Sequence, residues 1–319
     1  MRVRRFNQLT TAIMAASITL ISVVSARAQR QSKPVTTSGR DVTILVTAHP
    51  HNRRARELAA KLRPEDFTVL EEKRPQRILS VKPAAEAPPI IAVLIQDDLV
   101  SRVSNEIKGI KQFIRGLPSG SRVMTGYLTA GSLRVTQDFT TELARAAESL
   151  RITQSSESAA PFNPYVEVVE ALRRFDAQPV GRRIVLLISD GLDISRGLSS
   201  ASPGLSIDLD RAIAEAQRRG VAAFTFYAPS VGLTSASRLA VNYGQGSLNR
   251  LADETGGEAF FSGNDFVTFD PYFKEFNELL GLQWLITYRS SNTGPGFRRI
   301  EVTTEYDVHL HYPKGYPAR

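Results

Sequence analysis

The chain has 319 residues, of which 42% are hydrophobic and 23% charged, and this ordinary globular composition excludes a wholly disordered protein. It contains no cysteine, which excludes disulfides, thiol nucleophiles and cysteine-ligated metals. The formal net charge is +8, but four of these charges come from arginines in the first 28 residues. The remaining excess is small and dispersed, so we expect no nucleic-acid partner.

The N-terminus has the pattern of a secretory signal peptide. A start rich in arginine precedes the mostly apolar, uncharged residues 9–24, and Ala26–Ala28 is typical of a cleavage site. The alternative is an uncleaved anchor, but the apolar stretch is short for a membrane span and rich in Ser and Thr. We therefore expect a signal peptide at 1–28 and a disordered leader at 29–40. The mature protein is then periplasmic or extracellular, without stable membrane insertion.

Residues 41–83 are predicted to form an N-terminal β segment. Residues 41–48 alternate in polarity and are rich in β-branched side chains, and residues 67–71 and 77–82 are two further short strands. A linker rich in Pro and Ala follows at 83–89.

Strand and helix patterns alternate over residues 88–282. The predicted strands are 90–95, 123–129, 133–136, 184–189, 221–227 and 258–261. The predicted helices are 100–117, 140–150, 165–175, 209–219, 248–255 and 272–282. Such alternation predicts an α/β fold with a doubly wound, mostly parallel sheet that is covered by helices on both faces.

The strand at residues 184–189 ends at Asp190 and Gly191. Ligands and ions bind at the carboxyl ends of the strands in open α/β sheets, which makes Asp190 the first candidate site residue. The alternative is an ordinary turn after a strand.

Antiparallel β patterns return in residues 283–319. Trp284, Ile286 and Tyr288 alternate with polar residues and therefore share one face of a strand. Neither terminal group of strands is large enough to bury its own apolar face. We therefore expect residues 283–319 to pack with 41–83 as one small β domain beside the α/β domain.

Five segments of the mature chain carry a resemblance to a known family. They are Leu62–Val81, Ile90–Asp98, Ile184–Gly191, Leu248–Phe261 and Lys314–Tyr316. Through them the chain resembles a von Willebrand factor type A domain, specifically the bacterial VWFA-related proteins typical of acidobacteria. The resemblance implies a Rossmann-like sheet with one antiparallel edge strand. It also implies a metal-ion-dependent adhesion site, in which a bound ion takes an acidic side chain of a partner protein as its last ligand.

The adhesion site of this family resembles Asp-x-Ser-x-Ser after the first strand, a Thr on a later loop and an Asp after the fourth strand. Carried over to this chain, the pattern places Asp97, Ser101 and Asp190 at the metal. Mg²⁺ prefers six oxygen ligands and keeps several waters, so carboxylates and hydroxyls suit it. The resemblance thus implies a Mg²⁺ site.

The chain departs from the family pattern at two positions. Leu99 stands where the first Ser is expected, and the loop at residues 155–163 has no Thr, which leaves Ser156 or Asn163 as substitutes. The site is therefore a degenerate one. The alternative is a retired site whose two aspartates are held by hydrogen bonds from helix N-termini.

A partner is expected to contact the rim around this site. The rim residues that the pattern singles out are Asp98, Leu99, Gly191 and Asp193.

The four histidines form two His-x-His pairs, His49 with His51 and His309 with His311. If the first and last strands of the β domain are adjacent, the four imidazoles approach one another and, with Asp307, can bind Zn²⁺ or Cu²⁺. The alternative is that they are exposed strand residues.

The expected function is that of an exported, non-enzymatic protein-interaction or adhesion-type module. No Gly-x-Ser-x-Gly or His-Glu-x-x-His motif occurs, and Gly244–Gly246 lacks the strand context of a nucleotide site. The alternative is a secreted metal-dependent hydrolase or metal-binding protein that uses the histidine pairs. The oligomeric state stays open.

Overall fold

The computed structural model describes residues 39–261 and 268–318, so the predicted signal peptide and most of the predicted leader lie outside the described residues. The strands within these ranges are β1 (Asp41–His49), β2 (Thr68–Glu71), β3 (Arg74–Pro75), β4 (Arg77–Pro83), β5 (Ile90–Gln96), β6 (Arg122–Thr129), β7 (Ser132–Thr140), β8 (Arg183–Ser189), β9 (Val221–Tyr227), β10 (Ala259–Phe260), β11 (Gln283–Arg289), β12 (Gly296–Thr303), β13 (His309–His311) and β14 (Gly315–Ala318). The helices are α1 (Arg53–Ala59), α2 (Ile107–Arg115), α3 (Leu143–Glu148), α4 (Pro164–Arg174), α5 (Ile207–Arg219), α6 (Leu233–Ala236), α7 (Arg238–Thr255) and α8 (Asp270–Gly281).

A six-stranded sheet in the order β10-β9-β8-β5-β6-β7 forms the centre of the fold. Its neighbouring strands are parallel except for the edge strand β7, which is antiparallel to β6. This confirms the predicted α/β class and the sheet that the resemblance to type A domains implied.

Helices cover both faces of the central sheet. Strands β5, β8 and β9 are buried along their whole length, as their continuous apolar runs predicted. Alternate residues of β5 join two apolar clusters on opposite faces, one with α2, α3 and α8 and the other with α4, α5 and α7.

Two four-stranded sheets are built from the ends of the chain, in the orders β13-β1-β11-β4 and β14-β12-β2-β3. The predicted pairing across more than 200 residues is confirmed, since β1 lies antiparallel to β11 from Asp41 opposite Arg289 to Thr47 opposite Gln283. Strands β2 and β4 are separated in sequence only by the two-residue strand β3, yet they belong to different sheets.

The terminal sheets form the predicted small β unit, but this unit is not separated from the central sheet within the described residues. The reason lies in β1, whose alternate side chains serve two cores. Leu45 belongs to the same apolar cluster as the central strands, whereas Ile44 and Val46 face the core of the terminal sheets. The β and α/β parts therefore share buried apolar surface.

The helix boundaries differ most from the prediction at α2 and α7. A 3₁₀ segment, Ser101–Glu106, precedes α2, and α7 begins ten residues before the predicted residue 248. No helix in the described ranges is long and apolar enough to cross a membrane.

Candidate functional site at the carboxyl end of the central sheet

The carboxyl ends of β5 and β8 bring Asp98 and Asp190 together, with Gln96 between them. Gln96 Nε2 donates to Asp98 Oδ1 at 2.8 Å, and Gln96 Oε1 accepts from the Asp190 backbone N–H at 3.2 Å. Successive side chains at a strand end point to opposite sides, so residues 96 and 98 share a side that residue 97 does not. The expected pairing of Asp97 with Asp190 is therefore off by one residue.

Asp97 is fully buried and already neutralised within the protein. The two terminal nitrogens of Arg151 donate to its two carboxylate oxygens at 2.7 and 2.8 Å. Gln154 adds donations from its backbone N–H at 3.0 Å and its side-chain amide at 2.7 Å. The Arg151 guanidinium also lies 4.0 Å above the ring of Tyr127. Asp97 thus resembles the retired-site alternative, with a guanidinium as the main donor.

The other two residues at the expected metal positions, Leu99 and Ser101, do not provide the ligands that Mg²⁺ needs. Leu99 is fully buried in the apolar core, and Ser101 is an exposed residue at the start of the 3₁₀ segment. Mg²⁺ needs near-octahedral oxygen ligands, but one position holds an alkyl group and Asp97 is bound to a guanidinium.

Asp190 is 4% exposed and is held by neutral donors. The Leu192 backbone N–H donates to Oδ1 and the Thr234 hydroxyl to Oδ2, both at 3.1 Å. Burial raises the Asp190 pKa above its ordinary value, although these hydrogen bonds lower it. Burial and, after it, the Asp190 charge raise the pKa of Asp98 to about 7.

A third carboxyl lies close by, on α4. Glu167 is 3% exposed and accepts a hydrogen bond from the Thr129 backbone N–H at 2.9 Å. Burial raises its pKa to about 8, with further contributions from the charges of Glu170 and Asp98. At neutral pH these carboxyls therefore carry less negative charge than their number suggests, unless a cation is bound.

The Asp190–Gly191 turn lies directly under α7. Gly191 has a φ of +68°, and a Cβ there would overlap the Gly244 carbonyl oxygen. A Cβ at Gly244 would in turn overlap the Asp190 carbonyl oxygen, so both residues must be glycine for this contact. Leu99 lies in the apolar core and Gly191 packs against α7, so neither offers an exposed side chain at the expected rim.

Three further candidates have local hydrogen-bonding roles. Asp193, 8% exposed, accepts hydrogen bonds from Ser195 and Ser206. Asn163 caps α4 through the Tyr165 backbone N–H, and Ser156 caps a short 3₁₀ turn. The hydrogen bonds of all three side chains are thus to other groups than Asp190 in the described residues, although each lies on the loops that the resemblance singled out.

A cavity of about 530 Å³ opens above the carboxylate pair. Its floor is formed by Gln96, Asp98, Asp190 and Ser230. Glu157 adds an acidic group, and the walls are mostly apolar, with Ala160, Pro161, Phe162, Leu192, Ile194, Leu233 and Ala236.

Seven exposed large apolar side chains lie at this end of the sheet. They lie in the loops that enter α4 to α7, or in the first turns of these helices, and are Ile152, Phe162, Val166, Leu205, Ile207, Leu233 and Leu239. We call these seven residues the apolar rim. Their exposed fractions range from 40% for Leu233 to 65% for Ile152. Several exposed large apolar side chains at one end of a fold are typical of an interaction surface.

The predicted approach of the four histidines is confirmed, because β13 pairs with β1. The rings of His49 and His311 are stacked with centroids 4.8 Å apart, and those of His51 and His309 are 4.7 Å apart. His311 Nδ1 lies 3.0 Å from Glu258. Burial lowers the His311 pKa, but Glu258 and the Gly257 carbonyl outweigh burial, so the pKa is raised above its ordinary value.

The histidine geometry is that of stacked aromatic pairs. Parallel rings such as those of His49 and His311 cannot both direct an in-plane lone pair at one ion. Within residues 39–261 and 268–318, no group of three or more His, Asp or Glu side chains is placed to hold a metal ion. No ion pair joins Asp307 to these histidines in that part of the chain.

Sequence reasoning missed Arg151, Gln154 and Thr234. Each lies on a loop or helix that is distant in sequence from the aspartate that it binds, and none belongs to a motif. The single sequence signal is the double aspartate after β5, because two adjacent acids at a strand end must face opposite sides.

Replacing Arg151 with methionine is expected to lower the free energy of unfolding by about 2 kcal/mol, since Asp97 then stays buried without its cation. Urea denaturation measures this loss. The matched control is the double variant Asp97→Asn/Arg151→Met, which removes the charge as well and should recover part of the loss. Equal stability of the single variant and the wild type would contradict the role of the ion pair.

Comparisons with known proteins add likenesses of fold alone. No protein-family model matches the chain, and neither does any curated protein. The chain is similar to an aerotolerance-related membrane protein from Bacteroides fragilis (14% identity, TM-score 0.40), covering 60% of this chain and 98% of that one. It is similar to the conserved hypothetical protein BatB from Bacteroides thetaiotaomicron (16%, 0.41), covering 60% and 97%. It is also similar to the SpRpn10 VWA domain (8%, 0.38), covering 54% and 86%. At these identities and TM-scores, the likenesses carry no conclusion about function.

Proposed function

We propose that this chain is an exported, non-enzymatic protein-interaction module that binds a partner protein at the carboxyl end of its central sheet. The observation that carries the proposal is the apolar rim, two of whose members, Phe162 and Leu233, also line the acidic cavity. Seven large apolar side chains exposed at one end of a sheet lose contact with water when a partner covers them, and each fully covered side chain contributes about 1.5–3 kcal/mol.

The location of the rim supports the proposal. The loops before α5 and α6 follow the carboxyl ends of β8 and β9, where α/β folds bind their ligands. The loop between α3 and α4 lies beside them, since the Ser155 N–H donates to the Asp97 carbonyl and the Ile194 N–H to the Phe162 carbonyl. The sheet beneath is rigid and buried, so the loops are presented on a fixed support.

The cavity chemistry supports binding rather than catalysis. No histidine or lysine is among the residues that line it, and the Ser230 hydroxyl is held within the fold by hydrogen bonds with Thr234, at 2.9 Å, and with Asp190. Ser230 therefore lacks the histidine or lysine base that commonly activates a hydroxyl nucleophile. We therefore propose binding without chemistry. We also propose that the degenerate adhesion site works without Mg²⁺, because its donors do not fit that ion.

Export is part of the proposal and rests on the N-terminal sequence. An arginine-rich start, an apolar segment and a small-residue cleavage pattern precede the mature chain. The partner is then a protein of the periplasm or the cell exterior. We also propose that the protein is of the bacterial VWFA-related type, because five segments of its sequence resemble that family.

Replacing Phe162 or Leu233 with aspartate is expected to reduce partner capture at least tenfold while leaving the fold intact, since both side chains are already exposed (62% and 40%). Cross-linking of the tagged protein in its native envelope, followed by quantitation of the captured protein, measures this. The matched control is Val180→Asp, because Val180 is 72% exposed but lies before β8, at the opposite end of the sheet.

The pattern across the three variants decides the outcome. Loss of capture in the Phe162 and Leu233 variants but not in the Val180 variant supports the proposal. Unchanged capture in both rim variants would place the binding surface elsewhere.

A further inference from the structure

We infer that the acidic cavity receives the arginine or lysine side chain of the partner protein directly, with its cationic end at Asp98 and Asp190. This inference rests on the proposed function and names the chemistry of the partner. The family resemblance implied the opposite charges, with a bound metal ion that binds an acidic side chain of the partner.

The two aspartates of the cavity lack a counter-ion among the residues around them. Asp98 is 3% exposed, and Asp190 is 4% exposed. No lysine or arginine is among the residues that line the cavity, and the donors to the two aspartates are neutral groups. Burying a carboxylate without a cation costs free energy. A cation that enters the cavity can therefore form an ion pair with Asp98 and Asp190 that no residue of the cavity lining provides.

Asp98 also has an unused acceptor. Its Oδ1 accepts from Gln96, whereas Oδ2 accepts no hydrogen bond from the other described residues. Since Asp98 lines the cavity, this oxygen is available to a donor that enters it. A guanidinium or an ammonium group supplies such donors and carries no acceptor.

The neighbouring aspartate shows the same chemical need met within the protein. Asp97 precedes Asp98 at the end of the same strand and is equally buried, and there the protein supplies its own guanidinium, that of Arg151, in a two-pronged contact. Asp98 faces the other side of the strand end and has no such partner within the described chain. The protein therefore supplies a cation to Asp97 but none to Asp98, which faces the cavity.

The shape and lining of the cavity suit a long basic side chain. Its volume of about 530 Å³ is larger than one such side chain requires, and the apolar walls at Phe162, Ile194 and Leu233 can pack against an alkyl stem. The carboxylates are buried and line the cavity, so only a side chain that enters the cavity reaches them. Phe162 and Leu233 also belong to the apolar rim, so a partner that covers the rim is placed to insert the side chain.

The test uses two probes that differ in charge. N-acetyl-arginine methylamide and its neutral analogue N-acetyl-citrulline methylamide are titrated into the wild-type mature chain at pH 7.5, with EDTA present and binding followed by NMR. We expect the arginine probe to bind at least tenfold more tightly than the citrulline probe and to shift resonances of the cavity residues. N-acetyl-lysine methylamide, whose side-chain amine is free, should also bind.

The variants locate the binding site. Asp98→Asn is expected to weaken binding of the arginine probe at least tenfold, whereas Asp307→Asn, at an exposed aspartate outside the cavity, should leave it unchanged. The comparison of arginine with citrulline uses the wild type alone, so its outcome does not depend on the folding of a variant.

Several results would overturn the inference. They are equal binding of the two probes, no binding up to 20 mM, or stoichiometric Mg²⁺ binding that displaces the arginine probe when EDTA is omitted. If the probes fail while the Phe162 and Leu233 variants still lose partner capture, the proposed function stands and only the basic-side-chain inference fails.

Discussion

Replacing Glu71 with alanine is expected to destabilise the protein by about 3 kcal/mol, because one buried carboxylate holds two terminal sheets together. Glu71 is fully buried on β2. Oε2 accepts from the hydroxyls of Tyr288 and Tyr316 at 2.9 and 3.0 Å, and Oε1 accepts from Ser290 and the Asn292 amide, both at 2.7 Å. Alanine leaves these four donors without their shared acceptor.

The control for this substitution is Glu301→Ala. Glu301 is an exposed residue of β12, the strand that pairs with β2, and its loss should change the free energy of unfolding by less than about 0.5 kcal/mol. Urea denaturation of the two variants gives the comparison. Similar stabilities of both would show that the Glu71 cluster contributes nothing beyond strand pairing.

The contribution of Glu71 should depend on pH. Burial alone raises its pKa, but the four hydrogen bonds outweigh burial and hold the pKa below its ordinary value of 4.5. A carboxyl with a lowered folded-state pKa contributes stability that is complete above the unfolded-state pKa and is lost as pH falls through the folded-state pKa. The stability difference between the wild type and Glu71→Gln should therefore shrink below about pH 4.5.

Replacing Arg182 with methionine is expected to cost about 3 kcal/mol, through the loss of a guanidinium that joins three parts of the fold. Arg182 is 2% exposed, and burial lowers its pKa to about 10. Its nitrogens donate to the Ala84 and Ala87 carbonyls at 3.0 Å, to the Leu280 carbonyl at the end of α8 at 2.7 Å, and to Gln283 Oε1 at 2.7 and 3.0 Å.

A second variant tests whether the guanidinium shape of Arg182 matters in addition to its charge. Arg182→Lys keeps the positive charge but has one nitrogen, which cannot reach carbonyls in several directions, so it should recover only part of the stability. The exposed Arg173, on α4, is the control, and Arg173→Met should be nearly neutral. Urea denaturation compares the three variants, and wild-type stability of the lysine variant would show that charge alone suffices.

The terminal sheets show how far pattern reading reached. The alternation of Trp284, Ile286 and Tyr288 correctly predicted that β11 needs a partner surface, and β1 supplies one edge of it. The same reasoning did not separate β2 from β4 into different sheets, because both have similar short apolar patterns. Strand pairing is chosen by the surface that each strand can cover within the whole fold.

At the candidate site, the sequence located one aspartate but did not distinguish the roles of the other two. The sequence located Asp190, since a long apolar run that ends in Asp-Gly marks the end of a buried strand. It could not decide between Asp97 and Asp98, because the side that each faces depends on where β5 ends and how it twists. One residue of register changes which aspartate meets the cavity and which meets Arg151.

By itself, then, the sequence determined the α/β class, the order of the central elements and the end of the sheet where a site must lie. These follow from local periodicity, which is set by the geometry of each strand and helix. Only the tertiary structure decided that Arg151 neutralises Asp97, that Asp98 and Asp190 face a cavity without a cation, and that apolar side chains from separate loops form one rim. The hydrogen bonds from Arg151 and Gln154 to Asp97 and from Thr234 to Asp190 join residues that are 44 to 57 positions apart, and the fold, not the local pattern, fixes their distances.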